Sequence, residues 1–230
     1  MRLVFACAIL AAGLLASAGC GGSSQKDKNQ PAANAAPAVS PDEVGPMDMV
    51  LGKMDAPVTL IEYASVACPV CAAFDQQILP DVKTKYIDTG KVKLVFRELP
   101  THAPALAYVG EMVARCVAEK KGEAAYFDVV ETLFRTQEDW VDGDGPKAAL
   151  AKIAAENGVD AASFETCIHR QDLVDLINNM VKVAADSHGI NGTPSFIANG
   201  EKIDGFTNID DFEKKLDAAL GKASGGEGKS

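Results

Sequence analysis

The sequence predicts an α/β fold interrupted by an all-helical insertion. Residues 58–63 form a nearly continuous run of apolar and β-branched side chains, which is typical of a buried strand. Helical periodicity then dominates the stretch from 101 to 188. Strand character returns only at 195–198, directly before a hairpin signal. Strands on both sides of so long a helical stretch indicate one sheet-containing domain that carries an inserted helical domain.

The first part of this domain is predicted to span 42–100. Its buried strand at 58–63 leads into a helix that runs through Phe74 and Val82, and Gly90 closes the following turn. Residues 91–98 alternate in polarity and form a second predicted strand.

The second part of the domain is predicted to span 189–220. Asn199-Gly200 is a strong two-residue hairpin signal between the strands at 195–198 and 201–204. Asn208 or Asp210 can cap a last helix. The Gly/Ser/Lys-rich stretch from 221 to 230 is expected to be a disordered tail.

The composition argues against a nucleic-acid-binding protein. The chain has 230 residues, with 22 Lys+Arg against 32 Asp+Glu and a net charge of −10. No basic run with interleaved aromatic residues occurs in the sequence, so a phosphate-binding surface is not expected. The acidity is consistent with solubility, and the 47% of hydrophobic residues is enough to build a core.

The N-terminus predicts export. Arg2 is followed by the uncharged stretch 3–18, which has the length of a signal-peptide apolar region. A signal peptidase could cut after Ala18. Alternatively, residues 15–20 form a lipoprotein box in which Ser17 replaces the usual leucine and Cys20 becomes acylated. A retained anchor helix is the third possibility.

We favour lipidation of Cys20, because the polar residues that follow suit a tether between a membrane and a domain. This interpretation makes 1–19 a signal peptide and 20–41 a lipid-attached flexible linker. All three alternatives export the protein. Loss of Cys7 with the signal peptide and acylation of Cys20 would leave four of the six cysteines, an even set that suits an oxidising compartment.

Residues Cys68-Pro69-Val70-Cys71 carry the chemistry that the sequence predicts. They directly follow the buried strand and begin a helix, whose first free N–H groups and positive end favour a thiolate. Pro69 suits the first helical position, where no N–H donor is needed. We therefore expect Cys68 to be the nucleophile and the more buried Cys71 to resolve the mixed disulfide.

Two other interpretations of this motif are a zinc site and a purely structural bridge. Zinc needs four ligands, yet the sequence has no second CxxC motif, and His102, His169 and His188 have no ligand spacing to one another. A bridge over so short a loop gains little entropy, which disfavours a structural role. We expect His188 to be a turn or helix-end residue and Trp140 to serve packing.

The segment Gly192-Thr193-Pro194 immediately precedes the returning strand, where a proline cannot join the ladder except at the first residue. Taken with the CPxC motif and the helical insertion, it resembles the DsbA-like branch of the thioredoxin superfamily. The resemblance covers roughly 48–220 and implies a thioredoxin fold with an inserted helical domain. It further implies that Pro194 is a cis-proline lying against the cysteine pair, and that Thr193 binds substrate chain edge-on.

The resemblance also suggests a role for Glu62, six residues before Cys68. This family often has a buried acid beneath its disulfide, so we interpret Glu62 as a proton acceptor for Cys71 with a pKa raised by burial. The alternative is that Glu62 points to solvent from the edge of the strand. Pro69 and Val70 are expected to tune the redox potential. Strong oxidases of the family have histidine where this chain has Val70, so we predict a moderately lowered Cys68 pKa and a potential of roughly −150 to −230 mV.

Cys116 and Cys167 are predicted to form a structural disulfide within the helical insertion. Each lies on an apolar helix face, which points both thiols inward from different helices. The alternative is two free cysteines that pack as small hydrophobic residues.

The leading functional interpretation is an exported thiol–disulfide oxidoreductase that exchanges disulfides with cysteine-containing exported proteins, as a dithiol oxidase. One alternative is a reductase or isomerase kept reduced by a membrane electron donor, and another is a non-redox chaperone or binding module. The resemblance implies a membrane redox partner, DsbB-like for an oxidase and DsbD-like for a reductase. We expect a monomer without a cofactor or metal, lipid-anchored to a periplasm-facing membrane or else soluble in the periplasm.

Overall fold

A mixed sheet with helices on both faces organises the protein. The structure is a computed structural model that describes residues 39–226. Within these residues five strands form one sheet in the order β1-β3-β2-β4-β5, in which β2 and β3 are parallel and the other pairs antiparallel. The strands are β1 Met49–Leu51, β2 Val58–Ala64, β3 Val92–Glu98, β4 Ser195–Ala198 and β5 Glu201–Ile203.

The helices divide into those that cover the sheet and those that form the insertion. The sheet-covering helices are α1 Pro69–Gln77, α2 Leu79–Val82, which continues into a π-helical turn at Lys83–Ile87, and α9 Ile209–Gly226. The insertion comprises α3 Pro104–Lys121, α4 Glu123–Arg135, α5 Gln137–Trp140, α6 Pro146–Glu156, α7 Ala161–Cys167 and α8 Gln171–His188. The thioredoxin fold with a helical insertion, predicted from the sequence, is confirmed.

Alternation along the central strand separates two cores. Leu60 of β2 belongs to a cluster with Phe74 of α1 and Phe212 of α9. The next residue, Ile61, belongs to a different cluster that includes Ala184 of α8. Because successive side chains of a strand point to opposite faces, Glu62 shares the face of Leu60, the one that α1 covers.

A buried ion pair attaches the insertion to the sheet. Arg115 of α3 donates two hydrogen bonds of 2.6 Å to the two carboxylate oxygens of Glu98 at the end of β3. The Tyr126 hydroxyl of α4 donates a third, 2.7 Å long, to Oε1 of the same carboxylate. All three side chains are buried, so the partners satisfy groups whose isolated burial would be costly.

The hairpin between β4 and β5 follows the sequence prediction. Asn199 and Gly200 have φ values of 46° and 82°, the left-handed conformations that a two-residue hairpin turn of this type requires. The Asn208 side chain accepts a 3.0 Å hydrogen bond from the Asp211 N–H, which selects Asn208 over Asp210 as the cap of the last helix.

The ordered structure extends beyond the predicted boundaries of both the C-terminal tail and the N-terminal linker. The tail was expected from 221, but α9 continues to Gly226, because Ala223 packs against the core and Lys222 forms an ion pair with Glu201. At the other end the linker was expected to reach 41. Instead Arg97 donates a 2.9 Å hydrogen bond to the Pro41 carbonyl and anchors it to the sheet. The short strand β1 was also not predicted.

Candidate active site

Cys68 and Cys71 lie where β2 passes into α1. Cys68 is the N-cap residue, with an extended backbone, and Pro69 occupies the first helical turn. Cys71 lies one helical turn further along and is fully buried, while Cys68 is 6% exposed to solvent. Val70 between them is 59% exposed, so the face of the molecule beside Cys68 is apolar and open.

The two thiols have opposite pKa shifts. A hydrogen bond from Cys71 is the largest influence on Cys68, and bonds from Thr193 and backbone N–H groups add to it. These donors outweigh burial and lower the pKa of Cys68 to about 5, the direction that the sequence predicts. Burial raises the pKa of Cys71, and its hydrogen bond to Cys68 raises it further. Cys68 is therefore a thiolate at neutral pH, and Cys71 keeps its proton.

The peptide bond between Thr193 and Pro194 is cis, and it lies directly beside Cys68. The Cys68 sulfur is 3.6 Å from the Thr193 carbonyl oxygen, close enough for the thiol to donate a hydrogen bond. Pro194 immediately precedes β4, which pairs with β2. Pairing of these two strands therefore brings the segment 193–194 to the cysteines.

Glu62 is a buried carboxyl group that interacts electrostatically with Cys71. Its side chain is 2% exposed and shares the sheet face covered by α1, so it does not point to solvent. Burial is the main cause that raises the pKa of Glu62 to about 8, and the nearby Asp75 carboxylate adds to it. The charge of Glu62 in turn raises the pKa of Cys71, so the two groups are electrostatically linked.

Two further carboxylates near Glu62 were missed by the sequence analysis. Asp75 and Glu131 line the same cavity of about 180 Å³ as Glu62. Burial and the Glu131 charge raise the pKa of Asp75 to about 6. The spacing of Asp75, four residues after Cys71 on the same helix face, was a signal that could have identified it. Glu131 belongs to the insertion, and no local signal points to it.

Gln137 of the insertion is another residue that the sequence analysis missed. Its side-chain amide donates hydrogen bonds of 2.7 Å to the Val66 carbonyl and 3.0 Å to the Cys68 carbonyl. The loop that carries the nucleophile is thus held from outside the sheet domain. Such a contact joins positions about 70 residues apart and leaves no pattern in the sequence.

Cys116 and Cys167 are joined by a disulfide in the structure. The S–S distance is 2.03 Å and the Cα atoms are 6.3 Å apart. The bond connects α3 to the last residue of α7, so it lies wholly within the insertion.

The remaining sequence predictions concern histidines, tryptophan and the N-terminus. His188 is the last residue of α8, in agreement with its interpretation as a helix-end residue, and its Nε2 lies 3.2 Å from the Pro41 carbonyl. Trp140 is fully buried and donates to the Leu133 carbonyl. Cys7 and Cys20 lie outside the described residues, so lipidation stays a prediction.

The described residues contain neither a candidate metal site nor a candidate membrane span. From 39 to 226, acidic, histidine and cysteine side chains do not gather in groups of three that could hold a metal ion. In the same range, no helix combines the length and apolar character needed to cross a bilayer.

Comparison with known sequences matches residues 45–218 to a thioredoxin family model. A Rickettsia conorii protein named as a protein-disulfide oxidoreductase is 31% identical over 198 residues, which cover 86% of this chain and 68% of the relative. A similarly named Rickettsia prowazekii protein is 30% identical over 75% of this chain, and the chain spans only 61% of that relative's length. Disulfide bond formation protein D of Bacillus subtilis is 28% identical, over 74% of this chain and 76% of its own length.

Solved structures give the same result. Wolbachia pipientis α-DsbA1 superimposes with a TM-score of 0.70 at 29% identity, covering 78% of this chain and 94% of its own. Bacillus subtilis BdbD in its oxidised form has a TM-score of 0.67 at 23% identity, over 76% of this chain and 93% of its own, which supports the shared fold.

Proposed function

Because this chain belongs to the DsbA-like family of thiol–disulfide oxidoreductases within the thioredoxin superfamily, we propose that it is an exported dithiol oxidase. Its substrates are pairs of cysteine thiols in other exported proteins. One observation carries the direction of the reaction: several donors stabilise the Cys68 thiolate, and so the reduced enzyme. A disulfide whose reduced form is stabilised is a strong acceptor of electrons.

The reaction begins with the Cys68–Cys71 disulfide. A substrate thiolate attacks the Cys68 sulfur, and the bond between Cys68 and Cys71 breaks as the mixed disulfide forms. Cys71 leaves as a thiolate and takes up a proton. A second substrate thiolate then attacks the substrate sulfur of the mixed disulfide, which releases the oxidised substrate and the Cys68 thiolate. Two electrons pass from the substrate to the enzyme.

Glu62 supplies the proton that Cys71 needs. With a pKa of about 8, Glu62 is protonated at neutral pH, and a protonated carboxyl beside the leaving sulfur can donate. Burial gives Cys71 a high proton affinity, so this transfer is downhill. In reoxidation the transfer reverses, and Glu62 accepts the Cys71 proton. Glu62 therefore acts in both halves of the cycle.

Pro194 and Thr193 form the binding surface for substrate chain. The carbonyl of Thr193 lies next to Cys68, and an extended substrate segment laid along 193–194 would bring its sulfur to the nucleophile. The exposed Val70 provides an apolar contact on the opposite side. Recognition through backbone and a single apolar residue fits an enzyme that accepts many substrates.

Export and membrane attachment complete the proposal. Residues 1–19 act as a signal peptide, and Cys20 is lipidated, so the polar residues that follow tether the domain to a periplasm-facing membrane. A DsbB-like membrane protein would reoxidise the cysteine pair. The Cys116–Cys167 disulfide suits such an oxidising compartment.

The redox state of the cysteine pair in growing cells tests this direction. Acid quenching followed by alkylation separates the oxidised and reduced forms of the protein. We expect the Cys68–Cys71 pair to be mostly oxidised. In a Cys71→Ser variant the Cys68 thiolate can still attack a disulfide of an exported protein, releasing one of its thiolates, and the mixed disulfide should accumulate because Cys71 is not there to resolve it. A mostly reduced pair would instead identify a reductase or isomerase served by a DsbD-like donor.

A further inference from the structure

Thr101 lies next to the active site although it is remote in sequence. After β3 the Leu99 N–H donates a 2.8 Å hydrogen bond to the Ala64 carbonyl, which keeps the chain beside the end of β2. The Ser65 hydroxyl then donates to the Thr101 carbonyl at 3.0 Å. Ser65 is fully buried, and its hydrogen bond attaches the Thr101 backbone to the loop that carries Cys68.

The Thr101 side chain contacts the residue that faces the nucleophile. The hydroxyl oxygens of Thr101 and Thr193 are 2.5 Å apart, and either can be the donor. The Thr193 side chain also forms a hydrogen bond to Cys68 that favours its thiolate. Thr101, Thr193 and Cys68 thus form a continuous chain of hydrogen-bonding groups.

A hydroxyl has one hydrogen, so the Thr193 hydroxyl can donate either to Thr101 or to Cys68, but not to both at once. This gives two arrangements of the hydrogen bonds. With Cys68 as a thiol, its S–H donates to the Thr193 carbonyl, and the Thr193 hydroxyl is free to donate to Thr101. With Cys68 as a thiolate, the Thr193 hydroxyl donates to the sulfur. Its oxygen must then accept from another donor, and the Thr101 hydroxyl is in place to be that donor.

We propose that Thr101 is a positioning residue, whose hydroxyl reverses its hydrogen bond with Thr193 and so directs the Thr193 proton toward the Cys68 thiolate. This inference rests on the proposed role of Cys68 as the thiolate of the reaction. Hydrogen bonds to a charged acceptor are about twice as strong as neutral ones, and successive bonds polarise one another. Loss of the Thr101 hydroxyl therefore costs the thiolate arrangement more than the thiol arrangement.

Two other titratable groups, Cys71 and Glu62, influence Cys68 in both arrangements of the hydrogen bonds. Cys71 of α1 donates to Cys68, and Glu62 of β2 acts on Cys71. Among the described residues, no hydrogen bond joins Thr101 to Cys71 or Glu62. The hydrogen bonds of Thr101 go to Ser65 and Thr193. A change at Thr101 thus reaches Cys68 through Thr193.

A pH titration of the thiolate in purified, reduced protein tests the proposal. The ultraviolet absorbance of the thiolate is followed in wild type and in Thr101→Val, which keeps the side-chain shape. We expect the valine variant to have an about threefold lower ratio of thiolate to thiol at a given pH. Thr101→Ser, which keeps the hydroxyl, should restore the wild-type curve. Thr101→Ala replaces the valine variant if that protein does not fold.

A double-mutant cycle identifies the route of the effect. In a Thr193→Val background the Thr101→Val substitution should change nothing further, because the intermediate hydroxyl is gone. The proposal is overturned if Thr101→Val titrates like wild type, if Thr101→Ser is as impaired as Thr101→Val, or if the Thr101 effect persists without the Thr193 hydroxyl. The readout uses isolated protein, so it does not depend on whether the enzyme acts as an oxidase or a reductase in cells.

Discussion

Glu62 has a buried carboxyl group in an otherwise apolar strand, and such a group lowers stability at neutral pH. The unfolded chain ionises Glu62 near pH 4.5, whereas the folded protein holds the proton until about pH 8. A raised carboxyl pKa means that unfolding releases a proton between these values, so stability falls as the pH rises through this window. In the proposed reaction the retained proton is the one that passes to Cys71.

We predict that Glu62→Gln is more stable than wild type near neutral pH and slower in catalysis. The glutamine cannot ionise, so its advantage should be near zero below pH 4.5 and on the order of 3 kcal/mol near pH 7. Urea unfolding at several pH values measures the difference. The rate of mixed-disulfide formation should fall at the same time, because the leaving Cys71 thiolate loses its proton donor. A stability difference that does not change with pH would contradict the buried, protonated state.

The second residue-scale prediction concerns Val70. Its side chain is exposed beside Cys68 and has no hydrogen-bonding group for the sulfur. We predict that Val70→His makes the pair more oxidising than the roughly −150 to −230 mV expected of wild type, since a donor worth about 1.4 kcal/mol raises the potential by about 30 mV. Equilibrium titration against glutathione measures both proteins. Val70→Ala is the matched control, which should stay near wild type; a histidine variant that becomes more reducing would refute the argument.

At the scale of elements, α5 supports the active-site loop through a single side chain. Gln137 donates to the carbonyls of Val66 and Cys68, and the Cys68 carbonyl also accepts a 3.1 Å hydrogen bond from the Ala72 N–H. We predict that Gln137→Leu lowers stability by about 1–2 kcal/mol and slows thiol–disulfide exchange several-fold, because the loop loses both donors.

A Gln76→Leu control variant separates the effect on stability from the effect on the rate of thiol–disulfide exchange. Gln76 donates one longer hydrogen bond of 3.4 Å to the Phe134 carbonyl, away from the loop. Gln76→Leu should therefore cost some stability and leave the exchange rate nearly unchanged. Equal rate losses in both variants, measured as oxidation of a model dithiol peptide, would mean that Gln137 has no special relation to the loop.

The disulfide within the insertion closes a loop of 51 residues, which the chain-entropy model values at about 4 kcal/mol. We predict that Cys116→Ala/Cys167→Ala lowers the free energy of unfolding by roughly 2–4 kcal/mol without removing activity, because these cysteines pack in a hydrophobic cluster separate from that of Cys68. Denaturant unfolding measures the loss. Mass counting of alkylated thiols under denaturing, non-reducing conditions checks the bond itself, and two further free thiols in wild type would exclude it.

At the scale of the whole molecule, the proposal to test is lipidation of Cys20. We predict that Cys20→Ser releases the protein from membranes into the soluble fraction, since three acyl chains anchor stably while the polar linker alone does not. Cell fractionation and N-terminal mass analysis of the wild type provide the measurement. Soluble wild type with Gly19 at its N-terminus would show that an ordinary signal peptidase processes the chain.

Local patterns predicted much of this fold. The apolar run of β2, the CPxC motif at the start of a helix, the Asn199-Gly200 turn and the periodic insertion all depend on neighbours in sequence, and each is found in the structure. The two cysteines could be identified for the same reason, whereas the role of Glu62 was suggested by the resemblance to the DsbA-like family. Their positions follow from strand alternation and from the four-residue CPxC motif at a helix start.

Tertiary contacts decided the rest, because they join residues whose local sequence gives no signal. Strand β1 is only three residues long and forms by pairing with β3, and α9 continues past Gly221 because Ala223 packs against the core. Thr101 and Thr193 are 92 positions apart, yet their hydroxyls meet beside Cys68. The sequence by itself determined the residues to which we assign the chemistry. The folded chain determined which groups tune them, since burial and hydrogen bonding depend on packing across the whole molecule.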